Sequence, residues 1–146
     1  MAESLSLKLA FASRRLHEIL LRRVASQLVA LGYEGATPAA LDFLGALECG
    51  DNHASEIARM MGVSRQWVAR NVAQFSRLGY LEQLPGTGRG KRIVFTERGE
   101  ALMSQARAGL AELDRHLEAT MDAHELAHLI DAVESLSRTL EENGTD

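Results

Sequence analysis

The stretch that most constrains this 146-residue chain is residues 55–77, two short amphipathic segments joined by Met61-Gly62-Val63-Ser64. Ile57, Ala58 and Met61 belong to the first segment. Val68, Val72, Phe75 and Leu78 form a narrow apolar face on the second, at helical spacing. So short a connection forces two helices to cross at close range. Ala58 sits where a larger side chain would hold them apart, Gly62 can supply a left-handed turn residue, and Val68 can pack the second helix onto the first. The pattern predicts a helix-turn-helix.

The flanks extend the helical reading. Leu5, Leu9, Leu16, Leu20, Val24 and Leu31 recur at near-heptad spacings through a long first helix, which Gly32 stops. Thr37-Pro38 reads as an N-cap followed by proline in the first helical position, where its missing N–H costs nothing. That second helix carries Leu41, Leu44 and Leu47 and ends at Gly50. Ser55 opens the third, and the fourth begins near Ser64 and runs to Gly79. Two prolines against twelve glycines agree with uninterrupted helices separated by glycine stops.

After Gly79 the period changes. Tyr80-Leu81-Glu82-Gln83-Leu84 and Arg92-Ile93-Val94-Phe95-Thr96 are short, alternating or β-rich, with Pro85-Gly86-Thr87-Gly88-Arg89-Gly90-Lys91 between them. A hairpin with a basic, glycine-rich loop follows. Thr96 precedes Glu97 and Glu100, acids suited to the first turn of a fifth helix. Leu102, Ala106, Leu110, Leu113 and Leu117 continue that helix. A last one carries Leu126, Leu129, Ile130, Val133, Leu136 and Leu140. The expected class is mainly α with a small β-hairpin.

Charge locates the business end. The whole chain is −4, yet residues 55–99 hold eight basic side chains and three acids, +5, which leaves −9 to the rest. A basic segment in an acidic protein marks a localised polyanion site. On the fourth helix Gln66, Arg70, Ala73 and Arg77 lie opposite the apolar face. Arginine and glutamine are the side chains that read guanine and adenine edges bidentately in the major groove. Residues near the start of such a helix reach bases, and later ones more often phosphate. On an isolated helix this face would be ordinary solvated charge; the adjacent turn and basic hairpin favour nucleic acid.

These residues resemble the MarR family of winged-helix transcriptional regulators over nearly the whole chain. The resemblance is carried by Ser55-Glu56-Ile57-Ala58, by Gly62-Val63-Ser64-Arg65-Gln66-Trp67-Val68-Ala69-Arg70, by Leu78-Gly79-Tyr80-Leu81-Glu82 and by Phe95-Thr96-Glu97-Arg98-Gly99. It implies one MarR-like chain over 1–146, with a winged helix-turn-helix at 37–99 between dimerisation helices at 5–31 and 100–142. It also implies a homodimer on double-stranded DNA, with the fourth helix in the major groove. Ser64, Arg65, Gln66, Trp67, Arg70 and Arg77 would then face DNA from that helix, and Arg89, Lys91 and Arg92 from the wing. Arg89 falls on the arginine of the family's D-x-R wing motif, but Thr87 stands where the aspartate would be. Asn71 occupies a usually aliphatic position, so it either finds a backbone partner or sits at the rim. Trp67 either touches DNA or packs at the edge of the helix-turn-helix. Arg14, Arg15 and His17 lie on the first helix, where relatives often line an effector pocket; the competing reading of all three is a solvated charged face.

A rival motif is His124-Glu125-Leu126-Ala127-His128, which matches H-E-x-x-H of zinc enzymes. Both histidines point away from the apolar face of their helix, and Asp131 and Glu134 stand where the extended motif needs glycine and histidine. No enzyme, metal or cofactor is expected. Cys49 is single, which excludes an internal disulfide and makes it a small packing residue. No apolar run is long enough for a membrane span, and the first residues do not read as a signal peptide. The expected protein is cytoplasmic: a homodimeric transcriptional repressor released by a small molecule. The competing expectation is a helical interaction module whose basic face meets an acidic protein.

Overall fold

The computed structural model describes residues 4–50, 52–86 and 90–144. Six helices and one hairpin follow in the order α1 (Leu5–Ala30), α2 (Pro38–Cys49), α3 (Ala54–Met61), α4 (Arg65–Arg77), β1 (Leu81–Leu84), β2 (Arg92–Phe95), α5 (Glu97–Thr120) and α6 (Ala123–Asn143). The chain divides into two compact units, Met1–Gly109 and Leu110–Asp146, so α1 belongs with the helix-turn-helix and the hairpin. No described helix is long and apolar enough to cross a membrane.

The expected helix signals have physical counterparts. Thr37 caps α2 through a hydrogen bond from the Ala40 amide at 3.1 Å, with Pro38 in the first position. Ser64 caps α4 by accepting from the Trp67 amide at 3.1 Å. Between them Gly62 takes φ +66°, and the Val63 amide returns to the Ala58 carbonyl at 3.0 Å. That closes α3 in a left-handed turn, a conformation costly for a residue with a Cβ. α3 itself starts at Ala54, one residue earlier than Ser55 suggests, with His53 as an N-cap whose side chain accepts no cap hydrogen bond.

The core of the first unit is aromatic at its centre. Phe43 of α2 and Phe75 of α4 stack with centroids 5.6 Å apart, and Trp67 meets Phe43 edge-on at 5.8 Å. Val24, Ala25 and Leu28 of α1, Ile57 and Ala58 of α3, Val68 and Val72 of α4, and Leu102 and Ala106 of α5 complete it. The strands pair antiparallel, with Leu81 opposite Phe95 and Leu84 opposite Arg92. The Ile93 amide donates to the Asn52 carbonyl at 2.8 Å, so the segment leading into α3 takes up a hydrogen bond of β2.

Tyr80 and Thr96 seat the hairpin on the helices. Tyr80, almost wholly buried, donates its hydroxyl to the Glu34 carbonyl at 2.7 Å, while the Arg98 guanidinium lies 5.4 Å from its ring centroid. Thr96 donates its hydroxyl to the Gly79 carbonyl and accepts from the Gly99 amide, capping the start of α5. Gly99 lies so close to the hairpin that a Cβ there would run into the Tyr80 carbonyl oxygen. That approach explains the Thr-x-x-Gly spacing at the start of α5.

The apolar stripe of α6 is left uncovered within the chain. Leu129, Ile130, Val133, Leu136 and Leu140 are all exposed, and no residue of α6 is buried. On α1 the apolar residues split: Val24, Ala25 and Leu28 enter the core, whereas Leu5, Leu9, Leu16 and Ile19 face solvent.

Candidate nucleic-acid interface

The outer face of α4 follows from what its inner face buries. Val68, Val72 and Phe75 are at most 2% exposed, and their spacing leaves Arg65, Gln66, Arg70, Ala73 and Arg77 turned to solvent. Ser64 is exposed at the start of the helix. Asn71 lies beside the core and donates its side-chain N–H to the Trp67 carbonyl at 2.8 Å, which makes it the backbone-partnered asparagine of the two alternatives. Trp67 is half-buried against Phe43, the packing position at the edge of the helix-turn-helix. The result is one helix with a fixed hydrophobic underside and a face of cations and an amide above it.

Beside α4 a cleft of about 830 Å³ opens between α3, the start of α4 and the hairpin. Arg59, Arg65 and Lys91 bring three cations to its walls, with Glu56, Ser55 and Gln83. Arg65 and Lys91 had been expected to face a polyanion. Glu56, Arg59, Ser55 and Gln83 are not among the expected DNA-facing residues, and only the Glu56/Arg59 spacing of three on a helix signals a pair in advance. Arg59 Nη2 donates to Glu56 Oε2 at 2.5 Å. That hydrogen bond, and then the charge of the carboxylate, holds the guanidinium pKa above its ordinary value. Arg92 is exposed at the start of β2 but is not part of these walls. Arg89, with Thr87, lies outside the described residues.

A second hollow, about 570 Å³, lies between α1 and the start of α2. Arg14 and His17 both line it, with Arg22, Glu18 and Asp42; Arg15 does not. His17 Nε2 donates to Asp42 Oδ2 at 3.1 Å, and Arg14 Nε to Glu18 Oε1 at 3.1 Å. Asp42 had no signal in the sequence, since its partner stands 25 residues away.

His124 and His128 are exposed on α6. Among the described residues no group of three or more His, Cys, Asp or Glu side chains is arranged to hold a metal ion. Cys49 is exposed at the end of α2, so the expectation of a packing residue is corrected: at the last position of the helix its side chain faces solvent.

No family model matches the chain, and no curated protein matches it. Solved structures do. The apo form of wild-type MarR from E. coli is 21% identical, with 93% of this chain and 98% of that one covered at a TM-score of 0.70. A MarR transcriptional regulator from Methanosarcina mazei Go1 is 15% identical, with 95% and 99% covered at 0.73. A cysteine-to-serine mutant of MarR from E. coli, complexed with operator DNA, is 21% identical, with 88% and 91% covered at 0.70. The winged-helix fold of the MarR structures is therefore the fold of this chain.

Proposed function

We propose that the chain is a homodimeric, cytoplasmic transcriptional regulator of the MarR family that binds double-stranded DNA in a sequence-dependent way. One observation carries the reading. The outward face of α4, with Gln66, Arg70 and Arg77, continues into a cleft with Arg59, Arg65 and Lys91, in a molecule whose net charge is negative. Charge that is concentrated against the sign of the whole molecule suits a polyanion laid along one side. The solved structure with operator DNA has the same fold, which supports the same orientation of α4.

Roles follow from position. Gln66 and Arg70 would reach base edges in the major groove. Ser64, Arg65, Arg77, Lys91 and Arg92 would grip the backbone, with Arg89 at the wing. Trp67, wedged against Phe43, would offer its exposed edge to a sugar or a thymine methyl. The hollow walled by Arg14 and His17 would take a small-molecule effector whose binding releases a repressor. Catalysis has no part in this reading.

The discriminating experiment is binding to a random-sequence duplex across a salt series, beside an acidic protein as competitor. Affinity for DNA that falls steeply with salt supports the proposal. Binding to the acidic protein with none to DNA would make the chain an interaction module instead.

A further inference from the structure

The basic cleft contains one carboxylate, and its placement is specific. Glu56 stands in the first turn of α3, where the helix dipole favours an acid, and Arg59 follows one turn later. The side chain of Glu56 is 30% exposed and that of Arg59 78% exposed. The acid is thus seated in the wall, while the guanidinium on its long stem can swing. Among the described residues Arg65 and Lys91 make no ion pair, so Arg59 is the one wall cation already engaged with an acid. A backbone phosphate entering the cleft would meet two available cations and a third held by a rival anion. Carboxylate and phosphate compete for the same planar fork of guanidinium N–H groups.

We propose that Glu56 is a built-in competitor for DNA phosphate, which holds Arg59 in the free protein and yields it to the backbone when DNA docks. This inference rests on the DNA reading above and assigns that interface a brake on affinity. The exchange replaces one charge-assisted hydrogen bond by another, so Arg59 contributes less net affinity than its exposure suggests. Phosphate contacts carry no base information, so the brake acts on every sequence alike. Its effect is to keep the protein from settling tightly on random DNA.

The test is a double-mutant cycle read on a random-sequence duplex across a salt series, using full-length wild type, Glu56→Gln, Arg59→Gln and the double variant. Glutamine keeps the length of glutamate and the helix preference of both residues, and both positions are on the surface, so folding is conserved. Glu56→Gln should bind several-fold more tightly than wild type. Arg59→Gln should bind more weakly, with the salt slope reduced by about one unit per cleft that engages a phosphate. In the Arg59→Gln background the Glu56→Gln gain should largely disappear. An equal gain with and without Arg59 would make Glu56 a mere repulsive charge and overturn the inference. So would a Glu56→Gln protein indistinguishable from wild type. Wild type that binds no duplex even at low salt would overturn the DNA reading and this inference together, an outcome distinct from the other two.

Discussion

Arg70 stands on the outer face of α4, with its sequence neighbours Val68 and Val72 fixed in the core on the opposite side. That anchoring makes the direction of its side chain a property of the helix. A bidentate contact to a guanine edge requires such a held direction, so Arg70→Ala should cost ~1–3 kcal/mol per half-site and relax preference at one base pair. Binding to a selected operator and to its scrambled duplex would check this; equal losses on both would make Arg70 a phosphate contact. Gly99 carries an opposite kind of information, because its importance lies in what is absent. A Cβ there meets the backbone oxygen of Tyr80, which cannot turn aside as a side chain would. Gly99→Ala should therefore destabilise the first unit by about 1–3 kcal/mol, the usual range for overpacking, measured by urea unfolding. Replacement of Gly45, whose added Cβ would meet nothing within 4 Å, is the matched control.

Elements were legible where a local signal and the tertiary packing agree. Thr37-Pro38, Ser64 and Gly62 mark helix ends through hydrogen bonds and dihedrals that depend on a few adjacent residues, and all three act as their types suggest. The start of α3 was misplaced by one residue because its N-cap, His53, makes no side-chain cap bond and so gives no residue-type signature. The outward face of α4 was legible from period alone. The cleft was not, since Arg59, Gln83 and Lys91 come from α3, β1 and the position just before β2, whose juxtaposition depends on the whole hairpin packing. The H-E-x-x-H match shows the converse, a motif whose letters are present while its setting is an exposed helix. Replacing both His124 and His128 by alanine should leave stability and DNA affinity within about 0.5 kcal/mol, as exposed substitutions do. A metal bound stoichiometrically by the purified wild type and lost in the variant would show a site on α6 instead.

At the scale of the molecule, basic charge and exposed apolar surface concentrate in different stretches of the chain. Residues 100–146 hold eleven acids and three arginines, so the C-terminal part repels phosphate while residues 55–99 attract it. α6 nevertheless presents Leu129, Ile130, Val133, Leu136 and Leu140 on one stripe, each at least 44% exposed. Five large apolar side chains in a row on an amphipathic helix form a contiguous patch of the kind that marks an interaction site. In the proposed homodimer a second copy would supply an identical stripe, and the two-fold axis would present two α4 helices to successive major grooves. Dimerisation and specific DNA affinity should then fail together when the stripe is charged. Ile130→Glu combined with Leu136→Glu should give a monomer by sedimentation while the circular dichroism of the first unit's unfolding is unchanged. Its affinity for an operator should fall far more than its affinity for random duplex, because a half-site grip loses the second recognition helix but keeps its own phosphate contacts. A charged-stripe variant that remains dimeric would place the interface elsewhere. A wild type that sediments as a monomer at micromolar concentration would remove the homodimer, and the two-fold operator with it.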